Sequence, residues 1–286
     1  MNTSSLKRTW KRSQNEPDRG SLARHLELTA IAVGSFDAVV HLPQSPMDRF
    51  TVEVISQTPN PQQTIYAAMH QDYAEGFVAH ERDTWPSEEK AGEVVIKNLL
   101  KGGRGHYGPL EHPQIVLNVG WFPHSTMQQI RTHRVGVSFD VQSFRYTGSR
   151  ILDVVSGKRE VEEVFYLRPV GMYSDRQGKK YEYTAEERQQ DIEWCLEACH
   201  RYQAKIEAGF AEEHARGLIP FDVRQHWVMS ANPRSLMHLL DLRWKADAQL
   251  EAQKMCEEIW PHFQAWVPAI AAWYEENRLK KARLAP

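Results

Sequence analysis

Between Gln128 and Arg150 the chain concentrates its cationic chemistry: QQIRTHRVGVSFDVQSFRYTGSR holds Arg131, Arg134, Arg145, Arg150 and His133 against a single acid, Asp140. Such a cluster suits a phosphate, because guanidinium forks present paired N–H donors to anionic oxygens. Ser143 and Arg145 stand two apart, so in an extended segment they share a face and could grip one phosphate, with Tyr146 turned away. The same residues also suit a strand whose arginines are solvated or paired with carboxylates elsewhere, and spacing leaves both readings open. Three further segments carry polar residues that packing does not demand. They are GHYGPLEH with His106, Glu111 and His112; ARGLIP with Arg216; and NPRSLMHLLDLRW with Asn232, Arg234, His238 and Arg243. On a helix, Arg234, His238 and Asp241 share one face, and Leu236, Leu240 and Arg243 another. Arg243 therefore reads either as a snorkelling cation paired with Asp247 or as a group kept for a ligand. No His-Glu-x-x-His spacing offers a metal two ligands on one helix face, so no metal site is expected.

The elements that must hold these groups are written in hydrophobic period and turn chemistry. The alternation of TVEVIS predicts a strand, followed by a TPNPQQ turn and a helix near Gln63. Val94, Val95, Leu99 and Leu100 predict a helix that Gly102 and Gly103 stop. GRGHYGPLEH is then a glycine-rich turn, and Ile115, Leu117 and Val119 predict a strand with one buried face. Residues 161–170 read as a further strand and DRQGKK as a turn. A capping box opens a long helix at Thr184, with a core stripe of Ile192, Cys195, Cys199, Tyr202, Ile206 and Phe210 and a stop at Gly217. Cys195-x3-Cys199-His200 is thus read as small apolar residues in a core rather than a metal motif. Asn232 as N-cap and Pro233 at the first position predict one helix running on to Trp260, before a final aromatic-rich helical region.

Thirty-five Lys and Arg against thirty-seven Asp and Glu leave no global field that would draw in nucleic acid. Three cysteines cannot pair completely and no apolar run approaches the ~18 residues of a membrane span, so a soluble protein of the reducing cytoplasm is expected. Residues 1–25 are basic and poor in apolar side chains, which predicts a mobile arm; residues 26–286 are expected to form one compact α+β domain.

The blocks GHYGPLEH, QQIRTHR, SFDVQSFRY, ARGLIP and NPRSLMHLLDLRWKADAQLE, in that order, resemble the flavin-dependent thymidylate synthases, whose hallmark is Arg-His-Arg, seven or eight residues, then Ser. The resemblance spans residues 52–260. Thr132 replaces the first hallmark arginine, with Arg131 one place earlier; Val141 stands where an acid is common, and His238 where the family has Asn. The resemblance implies a twisted, mainly antiparallel sheet packed with long helices, a segment 150–183 that is an insertion, and a homotetramer with sites between subunits. It implies that Gly108, Thr132, His133, Arg134, Asn232, Arg234 and His238 bind FAD. It implies that Gln129, Arg131, Ser143, Arg145, Arg216 and Arg243 bind dUMP. Arg243 would favour the N3-ionised uracil, and His106 would lie beside the flavin and influence substrate access. The implied reaction is reductive methylation of dUMP to dTMP, with methylenetetrahydrofolate as carbon donor and NADPH reducing FAD. No protein nucleophile is expected: Cys195, Cys199 and Cys256 lie on helical stretches outside the blocks, and Ser143 has no adjacent base. The alternative from another class is a nucleic-acid-binding protein using the basic arm and the Arg-rich 131–150 segment; near-neutral charge and the lack of interleaved aromatics argue against it.

Overall fold

In the computed structural model, residues 46–175 and 177–281 are described, so the expected arm at 1–25 and the start of order at Leu26 lie outside them. A four-stranded sheet, antiparallel throughout, organises these residues. Strands β1 (Thr51–Gln57), β2 (Ile115–Pro123), β3 (Val137–Val141) and β6 (Arg224–Ala231) lie in the order β1-β2-β6-β3, and β4 (Gly171–Ser174) with β5 (Lys180–Tyr183) forms a separate hairpin. Ile115, Leu117 and Val119 of β2 point into the core as their alternation predicts. The sequence reading places no strand at β6. Its alternating Trp227, Met229 and Ala231 are buried, but the polar Arg224-Gln225-His226 start hides that pattern.

Between Val119 and Phe122 the β2–β6 register shifts, and Trp121 takes φ 70°, a left-handed conformation that costs a bulky residue ~1–2 kcal/mol. Arg224 holds the bulge in place. Its guanidinium is buried with no carboxylate partner among the described residues and donates to the carbonyls of Trp121 at 2.8 Å, Glu162 at 2.8 Å and Pro46 at 3.0 Å. Burial lowers its pKa to about 10. Beyond the bulge, β2 runs straight into a helix that carries part of the site.

Helices α1 (Pro61–Gln71) and α2 (Glu88–Val95) pack on each other and send Ile65, Met69 and Val95 into the main core. The α2 helix continues as a π-turn over Ile96–Leu100, which brings Leu99 and Leu100 together into the core before Gly102 and Gly103, both at φ 72°, end it. Next come α3 (His124–Ile130), α4 (Phe144–Thr147), α5 (Ser149–Val155), α6 (Val161–Val164) and α7 (Ala185–Glu207), followed by α8 (Glu212–Ala215). The α7 capping box is formed as expected, and Cys195, Cys199 and Tyr202 pack with Ile151, Val154 and Val164 in a second core cluster. The chain ends in α9 (Pro233–Arg243), α10 (Leu250–Trp266) and α11 (Pro268–Asn277), which enclose the main core.

Four expectations need correction. The 161–170 strand is a short helix, α6, with its own Glu160–Glu163 capping box, followed by one isolated bridge from Phe165 to Val223; two adjacent glutamates make a better helix start than a strand. The α7 helix stops at Gly209, which supplies the left-handed turn at φ 80°, and not at Gly217; Phe210 lies beyond the turn and is exposed. The helix predicted from Pro233 to Trp260 breaks after Arg243. Trp244 turns into the core to pack 5.7 Å from Trp260, and the chain reverses so that Ala252, Met255, Cys256, Ile259 and Phe263 form a buried stripe on α10. Ser143 and Arg145 do not share an extended face: Ser143 is the N-cap of α4 and accepts from the Arg145 amide at 3.3 Å, so Arg145 is helical. Among the described residues no helix is long and apolar enough to cross a membrane.

Candidate active site

The loop that follows α3 is clamped by both ends of α9. At the N-terminal end, the Asn232 side chain accepts from the Ser235 amide at 2.8 Å, and the Ser235 hydroxyl donates to the Val135 carbonyl at 2.8 Å. Gly136, at φ 66°, lies so close beneath them that a Cβ would meet the Ser235 hydroxyl and the Asn232 amide. At the C-terminal end, Arg243 Nε donates to His133 Nε2 at 3.0 Å, while Nη2 donates to the Gln129 carbonyl at 3.2 Å and the Thr132 hydroxyl at 2.9 Å. Arg243 therefore adds a cationic donor, the favoured charge at a helix C-terminus, to a carbonyl in the last turn of α3 that already accepts from the Thr132 amide at 3.3 Å and the Thr132 hydroxyl at 2.7 Å. Of the two roles weighed for it, the pairing with Asp247 is not the one the structure shows.

That geometry fixes the protonation of His133. Its Nε2 accepts, so the ring is neutral with its proton on Nδ1. Burial, the Arg243 cation and the neighbouring His238 lower its pKa to about 4. His238 packs edge-on at 5.2 Å, and His133 Nδ1 is buried with no acceptor among the described residues. Arg234 pairs with Glu111 and lies over the Tyr107 ring at 5.8 Å, which ties α9 to the GHYGPLEH turn. On that turn His106 is exposed, and a Cβ on Gly108 would reach nothing nearer than His106 Nε2 at 4.0 Å, so the glycine leaves open space.

Three cavities meet around α3. One, of about 320 Å3, is lined by Thr132, His133, Arg134, Arg234 and His238, with Asn232 buried beneath as the cap; these are residues expected to hold the flavin. A second, of about 500 Å3, gathers Arg131, Ser143 and Arg216 beside Gln142 and Gln225. Arg145 stands near but pairs with Glu213 at 3.5 Å across an exposed contact, which is worth little in water. Gln129 and Arg243 line the third, of about 720 Å3, together with Arg168, Met172, Tyr173 and Tyr181. The residues expected to hold one nucleotide thus divide between two cavities of the chain, with α3 and its loop contributing to all three.

Sequence reasoning missed the polar network behind the third cavity: Arg168, Tyr166, Gln249 and Glu251. The only signal was the QLE segment at the end of the last motif block, where both polar side chains read as ordinary helix surface. No thiolate is available at the site. Cys195, Cys199 and Cys256 are buried and free; burial pushes the first two up to about 12 and about 11, and the third higher still. Among the described residues no three His, Cys, Asp or Glu side chains converge on a metal position.

Comparison with known proteins gives this arrangement a context. Residues 53–269 match the family described as thymidylate synthase complementing protein, Thy1. The flavin-dependent thymidylate synthase of Haloarcula marismortui is 35% identical over 252 residues, covering 82% of this chain and 99% of that protein. That of Halobacterium salinarum is 32% identical over 252 residues with the same coverage. A solved structure of a UMP/dUMP methylase, PolB, from Streptomyces cacaoi bound with 5-Br dUMP shares the fold, with a TM-score of 0.63 at 21% identity over 83% of this chain and 97% of that one.

Proposed function

The chain belongs to the Thy1 family of thymidylate synthase complementing proteins, and from that membership we propose that it is a flavin-dependent thymidylate synthase that converts dUMP to dTMP. Methylenetetrahydrofolate gives the carbon and NADPH the electrons, in the cytoplasm. The observation that carries the reading is the Arg243–His133 hydrogen bond, which joins the nucleotide-type cavity to the flavin-type one through two charged or polar groups and no nucleophile.

The residues fit FAD on the chemistry they leave unused. Among the described residues His133 Nδ1 is a buried donor without an acceptor and Arg134 has no carboxylate partner, and a Cβ on Gly108 would meet nothing nearer than 4.0 Å, so no side chain crowds an approaching group there. Thr132, His133, Arg134, Asn232, Arg234 and His238 would hold it, with His106 at the rim governing access. When bound, FAD supplies the hydride that completes the methyl group. Arg131, Ser143, Arg145 and Arg216 bind the phosphate of dUMP, while Gln129 and Arg243 face its base. Arg243 stabilises the negative charge that builds on the pyrimidine, a task for a fixed cation in a dry site. Because the phosphate-type and base-type residues line different cavities of one chain, each nucleotide site is completed by a second subunit of a homotetramer.

The direct test measures dTMP formation from dUMP and methylenetetrahydrofolate with FAD and NADPH. NADPH oxidation is expected to accelerate when dUMP is added, and an assembled protein that takes up no flavin would overturn the assignment.

A further inference from the structure

We propose that Arg168 is a positioning residue for the nucleotide: through Glu251 and Gln249 it sets which way the Gln129 amide faces and steadies the segment on which Arg243 rests. This rests on the functional reading above. Arg168 lies just ahead of the β4–β5 hairpin, in the segment 150–183 to which the sequence assigns no task. Its guanidinium grips both oxygens of Glu251, Nε to Oε1 at 2.7 Å and Nη2 to Oε2 at 3.0 Å, and donates through Nη1 to the Tyr181 hydroxyl at 3.1 Å. Glu251 is 1% exposed and opens α10; Tyr166 donates to its Oε1 at 3.0 Å and Gln249 Nε2 to its Oε2 at 2.8 Å.

An ionised carboxylate can only accept, so its polarity propagates. Gln249 must turn its NH2 toward Glu251, and that NH2 also reaches the Ser125 hydroxyl at 3.1 Å. The Gln249 Oε1 is left to face Gln129, and it accepts from Gln129 Nε2 at 2.6 Å. Gln129 in turn keeps its own Oε1 free of any donor among the described residues, at the wall of the cavity it shares with Arg243, Arg168 and Tyr181. The Gln129 backbone carbonyl accepts from Arg243 Nη2 at 3.2 Å, so the same residue carries the line on to the cation. The hairpin root thereby determines that the chain offers the nucleotide an acceptor at Gln129 beside a cation at Arg243. Nothing in α3 alone would choose between the two orientations of that amide.

The experiment uses FAD-loaded oligomer and measures the dUMP dissociation constant by calorimetry, KM and kcat for dTMP formation, flavin content and the melting midpoint. Arg168→Ala strands a buried carboxylate and can weaken the fold, so Gln249→Leu is the principal variant: it cuts the line while leaving the Arg168–Glu251 pair whole. The expected result is a dUMP dissociation constant and KM raised about tenfold in Gln249→Leu, with flavin content unchanged and a smaller change in kcat. Arg168→Lys should recover part of what Arg168→Ala loses. The Arg168→Ala, Gln249→Leu double variant should bind little worse than the weaker single variant, because both interrupt one line. A Gln249→Leu dissociation constant within twofold of wild type, or additive losses in the double variant, overturns the proposal and leaves the synthase reading standing. Wild-type holoenzyme that binds no dUMP overturns both.

Discussion

Arg243 shows what spacing can and cannot say about one side chain. Its place on an apolar helix face was legible in the sequence, since Leu236 and Leu240 mark that face. Its partners were not, because His133, Thr132 and Gln129 lie more than a hundred residues away. Two consequences follow from the contact with His133. Removing the cation should cost ~2.7–4 kcal/mol of transition-state stabilisation, about a hundredfold or more in single-turnover rate, and Arg243→Lys should rescue poorly because an ammonium cannot bridge the His133, Gln129 and Thr132 acceptors as a planar fork does. His133 reports the same contact without any ligand. Its imidazole should titrate near pH 4 by NMR in the wild type and move up toward the ordinary histidine value in Arg243→Ala. Because its folded pKa lies below its unfolded one, the stability it contributes is fully present above about pH 6.5 and is lost as pH falls toward about 4. A wild-type His133 that titrates near 6.5 would mean that the buried setting beside Arg243, whose largest effect is desolvation, is not formed.

At the scale of elements, α9 does the positioning, and its start was written more plainly than its end. Asn232 and Pro233 are an N-cap and a first helical residue by type alone, and both stand where they should. The break after Arg243 has no glycine or proline to announce it. It follows from Trp244 entering the core against Trp260, a tertiary contact that local propensity does not encode. Strand β6 and helix α6 escaped for related reasons: one opens on three polar residues that the tertiary structure partly or wholly buries, and the other is four residues long. If α9 clamps the 131–136 loop, weakening its cap should reach the site. Asn232→Ala is expected to cost ~1 kcal/mol of stability and to lower flavin affinity, with dUMP contacts in the Arg131–Ser143–Arg216 cavity little changed. Equilibrium denaturation and flavin titration on one preparation check this, and unaltered flavin affinity in a measurably destabilised variant would separate the cap from the site.

At the scale of the whole molecule, a sequence reports which cations exist but not which share a cavity, and this chain separates them. Arg131 and Arg216 line one cavity and Arg243 another. If each site takes its phosphate contacts from one subunit and its base contacts from a neighbour, two dead variants should revive each other. Arg216→Ala alone leaves every site without one cation, and Arg243→Ala alone leaves every site without the other. In oligomers reassembled at random from equal amounts of both, a composite site draws its Arg243-bearing side from an intact subunit half the time and its Arg216-bearing side likewise. About one site in four then carries both arginines. Were both groups supplied by the same chain, every site would still carry one substitution and mixing would restore nothing. Dissociation in mild denaturant, mixing, reassembly and measurement of dTMP formation distinguish the two cases. Recovery near a quarter of wild-type activity places the site between subunits, whereas activity no higher than that of the separate variants, in mixed oligomers verified by mass, confines it to one chain.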